Sequence, residues 1–400
     1  MSTIKQLFVL NAVCMTAMMS IIPVIGPIIR EVGLMEWHGG LVVAMSGIAW
    51  LLSAKKWGDA SDKKGRKSVL LIATLGYACS FILMTIWLDL SLNTTFHSLI
   101  ILIGMIVART LVGFFLAAIT PISSALLADI TTPKERQSAM ASIGAASAIG
   151  LVAGPALGGV LSQYSLTLPL YVLSVFPFIT WVIIKLRLPE TPRNHEPLEN
   201  TLSFFDQRLR FPSLAMFTCM FSVITAQIII GFLILDRIRE TSEQAAQLSG
   251  IVLTITGITL GITQGFLAKL KNNVLLKSFM MGPIAACAGL CIVSVAHSAQ
   301  ALITGYMFMA IGLGLLFPAI QAITANSVGM HEQGAAAGTI SAIQGLSSIA
   351  GPITATLLYQ YNQSLPYWFA ASLMAGLFLF VLMNQSKFNS QFEHIDTEIA

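Results

Sequence analysis

Trp57-Gly58-Asp59-Ala60-Ser61-Asp62-Lys63-Lys64-Gly65-Arg66-Lys67 places six charged side chains in eleven residues, between two long apolar runs. Over all 400 residues only 10% are charged and 56% are hydrophobic, and mean hydropathy is +0.80. Such values lie far outside the soluble globular range. The charged stretch therefore reads as a short aqueous turn between two membrane-crossing segments.

Crossing a hydrocarbon core of about 30 Å takes roughly 20 apolar residues as helix. Runs of that kind recur along the chain at about 6–28, 38–56, 68–88, 97–127, 135–162, 167–186, 211–235, 245–268, 275–296, 299–326, 334–360 and 366–385. The expectation is an all-α integral membrane protein of twelve transmembrane helices. The first run is expected to be retained as a helix, because no small-residue cleavage site follows it. Cys14, Cys79, Cys219, Cys287 and Cys291 all fall inside spans, which argues against a disulfide framework. Cys287 and Cys291 share a helix face, but with no third ligand nearby they read as packing and no metal is expected.

Charge distribution gives the orientation. Eighteen of the 22 basic residues fall on one set of alternate segments, among them Lys5, Lys55 to Lys67, Lys134, Arg136, Lys185 to Arg210, Lys269, Lys271, Lys277 and Lys387. The opposite segments hold Arg30, Arg237 and Arg239, and Arg109 lies within a span. The positive-inside rule then places both termini in the cytoplasm, and the expected location is a bacterial inner membrane. The basic residues are scattered over short loops, so no nucleic-acid partner is expected. The expected partners are the bilayer and a small-molecule substrate, and the expected state is a monomer.

The longest polar stretch, about Leu188 to Arg210, divides the spans six and six. The expected organisation is an N-terminal bundle over 1–187, a cytoplasmic linker over 188–210, a C-terminal bundle over 211–386 and a tail over 387–400. Internal repetition supports the division. A shift of 197 residues carries Pro121 onto Pro318, Ala125 onto Ala322, Asp129 onto Asn326, Glu135 onto Glu332, Gly154 onto Gly351 and Pro155 onto Pro352. Gly265 to Lys269 lies opposite Gly58 to Asp62, with lysine in the acidic place. Paired halves suit a transporter whose substrate site lies near the midplane.

Three motifs carry physical meaning. In the charged turn, Gly58 permits close backbone approach at a helix end, Gly65 permits a positive φ, and Asp62 is suited to pair with a guanidinium or cap a helix. With Arg66 and Lys67 they read as a charge lock and cytoplasmic gate; the plainer reading is a topology anchor. Ser142, Ala146, Gly150, Gly154 and Gly158 recur every four residues, so the fifth span has one smooth face for close helix approach, with Pro155 interrupting its hydrogen-bond ladder. Arg109 lies about twelve residues into the fourth span, where a lone cation costs at least about 2.5 kcal/mol and needs a partner or water. A guanidinium satisfied by backbone carbonyls is the structural alternative to a functional one.

These motifs resemble those of the major facilitator superfamily, and within it the twelve-helix drug:proton antiporters. The resemblance rests on Gly58-x-x-x-Asp62-Lys63-x-Gly65-Arg66-Lys67, on Arg109 followed by Gly113, and on Gly150-x-x-x-Gly154-Pro155-x-x-Gly158-Gly159. Ala60 and Val112 depart from the residues usual in the first two. The resemblance implies two pseudo-symmetric six-helix bundles, alternating access, and a loop that holds the halves together when the cavity faces outward. It implies a sealed, bendable fifth helix that biases the cycle towards export.

The acidic residues depart from the antiporter pattern. All eighteen map to loops, tails or span ends. If a proton is exchanged, Asp62, Asp236 or Glu31 must carry it; each reads more simply as a solvated charge. A central cavity is expected to use Asn11, Met15, Phe114, Gln227, Gln264, Tyr306, Gln321 and Gln344. Such a surface suits amphipathic molecules. The leading expectation is a secondary exporter of multidrug type driven by the proton gradient, with no cofactor. The alternative is export of an endogenous carboxylate-bearing metabolite such as a siderophore, for which Arg109 is an attractive contact. No HExxH, GxSxG or converging acid–base set points to an enzyme, and no filter or charged ring points to a channel.

Overall fold

A computed structural model describes residues 2–189, 206–238, 241–267, 274–329 and 332–383. Arg193, Arg239, Lys269, Lys271 and Lys387, most of the linker and the tail lie outside them. Among the described residues the chain is all helix, in the order α1 (Thr3–Ser20), α2 (Ile22–Glu31), α3 (Glu36–Lys64), α4 (Arg66–Asn93), α5 (Ser98–Ile130), α6 (Pro133–Ser162), α7 (Leu168–Arg187), α8 (Arg210–Arg237), α9 (Ser242–Leu267), α10 (Val274–Ser294), α11 (Ala299–Asn326), α12 (Gln333–Tyr361) and α13 (Leu365–Met383). Together α1 and α2 make the first span. They part at Ile21 because Pro23 has no N–H for the carbonyl of Met19.

Eleven of the twelve spans are long and apolar enough to cross a membrane. The remaining one, α12, has 29 residues but is rich in Gly, Ser, Thr and Gln, which lowers its hydropathy. Many large apolar side chains are exposed, including Ile100, Ile103, Val107 and Leu111 along one stripe of α5 and Val172, Val175, Ile179, Val182 and Leu186 along α7. That surface is what a hydrocarbon solvent requires and what water forbids. The repeat seen in the sequence reappears in the helices: adding 197 to the bounds of α6 gives 330–359, against Gln333–Tyr361 for α12.

Packing produces two compact units, one of residues 1–198 with 228–254 and the other of residues 199–227 with 255–400. The expected division lay in the linker; in addition, the end of α8 and the start of α9 pack with the first unit. In that unit α1 lies along α6 and α3 along α5, while α4 packs on α5 and α7. In the second unit α10 and α11 meet almost backbone to backbone. A Cβ on Gly282 would lie 2.9 Å from the carbonyl oxygen of Gly312, and one on Gly305 would lie 2.9 Å from that of Gly289. Small residues at these crossings allow dispersion contacts that lipid cannot replace.

Candidate functional site

The charged turn is almost entirely helical. Lys64 ends α3 and Arg66 begins α4, so Gly65 alone makes the corner, with φ +92° and its N–H on the carbonyl of Ser61. Asp62 pairs with Arg66 one turn on, and the Arg66 guanidinium also reaches Asp129 at 3.1 Å and the Ser61 hydroxyl at 2.7 Å. This links the α3/α4 corner to the end of α5. Gly58 corrects an expectation: it lies inside α3, and a Cβ placed there would meet nothing within 4 Å. Gly65→Ala, in contrast, forces an L residue into positive φ and is expected to cost about 1–2 kcal/mol. Thermal unfolding of the purified variant checks this.

Arg109 is buried, 1% exposed, between α1, α4 and α5. One terminal nitrogen lies 3.2 Å from the sulfur of Met18, and its Nε has no hydrogen-bond partner. No carboxylate pairs with it among the described residues. The nearby Tyr77 hydroxyl donates to the carbonyl of Cys14 at 2.9 Å. In the repeat, Arg109 plus 197 is Tyr306. That hydroxyl donates to the carbonyl of Ala226 at 2.7 Å and lies 3.2 Å from the Tyr367 hydroxyl. The same position thus holds a satisfied phenol in the second unit and an under-satisfied guanidinium in the first. The offset made this equivalence readable in the sequence, although the two residue types share no motif.

The α6 stripe packs on α1. A Cβ on Gly154 would lie 2.5 Å from that of Met19 and 2.7 Å from the carbonyl oxygen of Thr16; one on Gly158 would lie 2.6 Å from the carbonyl oxygen of Ser20. Gly150 meets Met15 and Thr16 in the same manner. Gly159 faces α9, where its Cβ would lie 2.7 Å from the Cα of Gly250, and a Cβ on Gly250 would lie 2.6 Å from the carbonyl oxygen of Pro155. The helix continues through Pro155.

Several expected cavity residues occupy other surroundings. Tyr306 is fully buried with its hydroxyl engaged, so it is packing and offers no open surface. Asn11 is also sealed: its amide donates to the carbonyl of Leu7 at 2.8 Å and its oxygen accepts from Thr120 at 2.9 Å. Phe114 continues the exposed apolar stripe of α5, about 140° around the helix from Arg109, and packs on Trp57 at 5.2 Å between ring centroids. Met15, Gln227, Gln264 and Gln344 are half-buried and Gln321 is exposed; the Gln344 amide lies 3.5 Å from the sulfur of Met216.

Of the acids, Asp62 is half exposed beside Arg66, Asp236 accepts from Arg30 at 2.9 Å, and Glu31 accepts from Ser242 at 2.5 Å. In the second unit Arg208 bridges Asp206 and Glu332 at 2.9 and 2.8 Å. Its hydrogen bonds hold both carboxyls below their ordinary range and push the guanidinium up. Glu135, the repeat counterpart of Glu332, instead caps its own helix through Thr132.

The family model for the Major Facilitator Superfamily matches residues 7–268 and 215–394. The chain belongs to this superfamily. It is a multi-pass membrane transporter and not an enzyme. Multidrug resistance protein 1 of Bacillus subtilis (strain 168) is 26% identical over 368 residues, covering 89% of each chain. Tetracycline resistance protein, class B, of Escherichia coli is 22% identical over 367 residues, covering 87% of this chain and 86% of its own. Among solved structures, a D-xylose-proton symporter superposes with a TM-score of 0.73 at 12% identity, covering 95% of this chain and 97% of its own. The human organic anion transporter MFSD10 gives 0.66 at 18%, covering 94% and 98%. These two share the fold.

Proposed function

We propose that this chain is a secondary exporter of small amphipathic organic molecules, working by alternating access and exchange with protons in a bacterial cytoplasmic membrane. The observation that supports the reading is the match, over 85–89% of the chain, to relatives named for multidrug and tetracycline resistance. Two six-helix halves over 1–187 and 211–386, joined by the linker 188–210, give alternating access to a site near the midplane, with both termini in the cytoplasm and the Arg66 corner on that side. A monomer suffices, and the proton gradient is the energy source. One charge moved through 100 mV supplies about 2.3 kcal/mol. The glycine seam of α6 supports a helix that slides and reseals without side chains in the way.

The test is drug accumulation in bacteria lacking their own exporters. Cells making the chain are expected to hold less of a lipophilic dye than controls and to lose the difference when the proton gradient is collapsed. Equal accumulation in both would overturn the proposal. Asp62→Asn is expected to slow export roughly 2- to 5-fold, the worth of a half-exposed ion pair, with the amount in the membrane unchanged.

A second reading, export of a carboxylate-bearing metabolite such as a siderophore, is favoured by the unpartnered Nε of Arg109. An anion brought to that guanidinium supplies the acceptor it lacks. Met15, Gln227, Gln264, Gln321 and Gln344 remain the proposed substrate contacts under either reading.

A further inference from the structure

Two of the five cysteines stand together. Cys287 and Cys291 lie one helical turn apart on α10, both free and both half-buried, and their thiols share a hydrogen bond. The other three are apart from them: Cys14 is buried in α1, Cys219 is buried in α8, and Cys79 is exposed on α4. The rotation of α10 is set by its seam with α11, where Gly282, Ala286, Gly289 and Val293 face Gly305 and Gly312. At about 100° per residue the two cysteines lie about 150° around the helix from that seam. Beyond them Met281, Ile284 and Val295 are exposed. The pair therefore sits at the edge of the apolar stripe that α10 turns to lipid, where α11 leaves it uncovered.

Helical spacing decides what such a pair can hold. Side chains four residues apart have Cβ atoms about 5–6 Å from each other, whereas a disulfide needs them about 3.5–4.5 Å apart. A direct sulfur–sulfur bond would distort the helix; one atom inserted between the sulfurs removes that demand. The inserted atom must bind sulfur and be satisfied by two thiols, because no third His, Cys, Asp or Glu joins them among the described residues. A structural zinc asks for four ligands. An arsenic(III) centre that already carries one carbon substituent asks for two. We propose that Cys287 and Cys291 form a dithiol site for trivalent organoarsenicals, R–As(OH)2, with the apolar group R lying along the lipid face of α10. Each thiol proton leaves with one arsenic hydroxide as water, so two As–O and two S–H bonds break while two As–S and two O–H bonds form. Arsenic stays trivalent and neither sulfur is oxidised, so the step consumes no oxidant or reductant. The incoming acid is uncharged, and an apolar R lets it approach through the hydrocarbon that covers Met281 and Ile284. Closure of the second As–S bond is intramolecular, so the pair holds arsenic more tightly than a single thiol such as Cys79. The site is independent of proton coupling and of the substrate carried.

Phenylarsine oxide, which hydrates to an acid of this class, is the probe. The purified full chain is treated with it, washed with an excess of the monothiol 2-mercaptoethanol, and weighed by intact mass spectrometry. The parent is expected to keep one phenylarsenic group, and to release it to the dithiol dimercaptopropanol. Cys287→Ala and Cys291→Ala are expected to lose the group in the monothiol wash, while Cys79→Ala keeps it as the parent does. A second readout needs no variant: after the wash the unfolded parent is alkylated with a maleimide and its peptides are mapped. Cys287 and Cys291 are expected to be protected together, with Cys79 alkylated. A parent that keeps no group, an alanine variant at position 287 or 291 that keeps it at the parent's level, or protection of only one of the two cysteines would overturn the site.

Discussion

Arg109→Ala is expected to reduce transport roughly 30- to 5000-fold while leaving the protein inserted and about as stable as the parent. A desolvated charged contact to a substrate or proton-carrying group is worth about 2–5 kcal/mol, which converts to that range. The stability side follows from what Arg109 does not have. Among the described residues its polar contact is the Met18 sulfur, its Nε is unpaired, and no carboxylate offsets its burial. Removing the charge relieves an insertion cost of about 2.5–3.5 kcal/mol. Against this stands the space left between α1, α4 and α5, which costs about 2–5 kcal/mol when a large buried side chain becomes alanine. The two nearly cancel. A purely structural Arg109 predicts the opposite pairing, with a large fall in thermal midpoint and transport reduced only through loss of folded protein. Arg109→Lys restores the charge but not the planar fork, and is expected to recover a minor part of the activity. Transport and thermal unfolding measured on the same preparations separate the cases.

The second large effect is a pair of glycine substitutions on one helix with opposite signs. Gly154→Ala sets a methyl 2.5 Å from the Cβ of Met19 and 2.7 Å from the carbonyl oxygen of Thr16. The obstacle includes backbone, so α1 itself must retreat. Overpacking of this kind costs about 1–3 kcal/mol, and transport is expected to fall because the α1/α6 seam can no longer close. Gly144→Ala lies in the same helix, where the added methyl meets nothing within 4 Å. There the helix gains about 0.5–1 kcal/mol from reduced backbone freedom in the unfolded chain. A rise in midpoint for Gly144→Ala beside a drop for Gly154→Ala identifies contact, not helix propensity, as the reason for glycine at position 154. A drop in both, or in neither, removes the seam from the account.

The spans were legible because burying twenty residues of backbone in lipid demands uninterrupted apolar helix, and the 197-residue offset exposed their repetition. The register of charge around the Arg66 corner was also legible, but its form was not. The stretch from Trp57 to Lys64 continues α3, since lysine and alanine propagate helix well and only Gly65 stops it. Gly58 looked like a point of close approach and lies in open space, because a glycine records permission for contact and not its presence. Phe114 and Tyr306 looked like cavity residues for a related reason: aromatic side chains serve lipid faces and buried packing equally well, and only neighbours decide between them. The pairing of Arg30 with Asp236 spans 206 residues of sequence. No local pattern announces such a contact, and Asp236 alone read as a solvated charge. Glu332 was placed by the repeat, yet its partner Arg208 lies at the end of the linker, where the two halves of the sequence have no common motif.

The central claim is gradient-driven export of small organic molecules, and purified protein in liposomes with an imposed pH gradient tests it most directly. The panel should contain neutral, cationic and carboxylate-bearing compounds. Saturable movement of neutral or cationic amphipathic compounds against the direction of proton flow is expected, abolished when the gradient is dissipated and strongly reduced by Arg109→Ala. Movement confined to carboxylates would transfer the chain to the metabolite-exporter reading. Transport indifferent to the gradient, or an ohmic current in place of saturable flux, would contradict proton-coupled export itself.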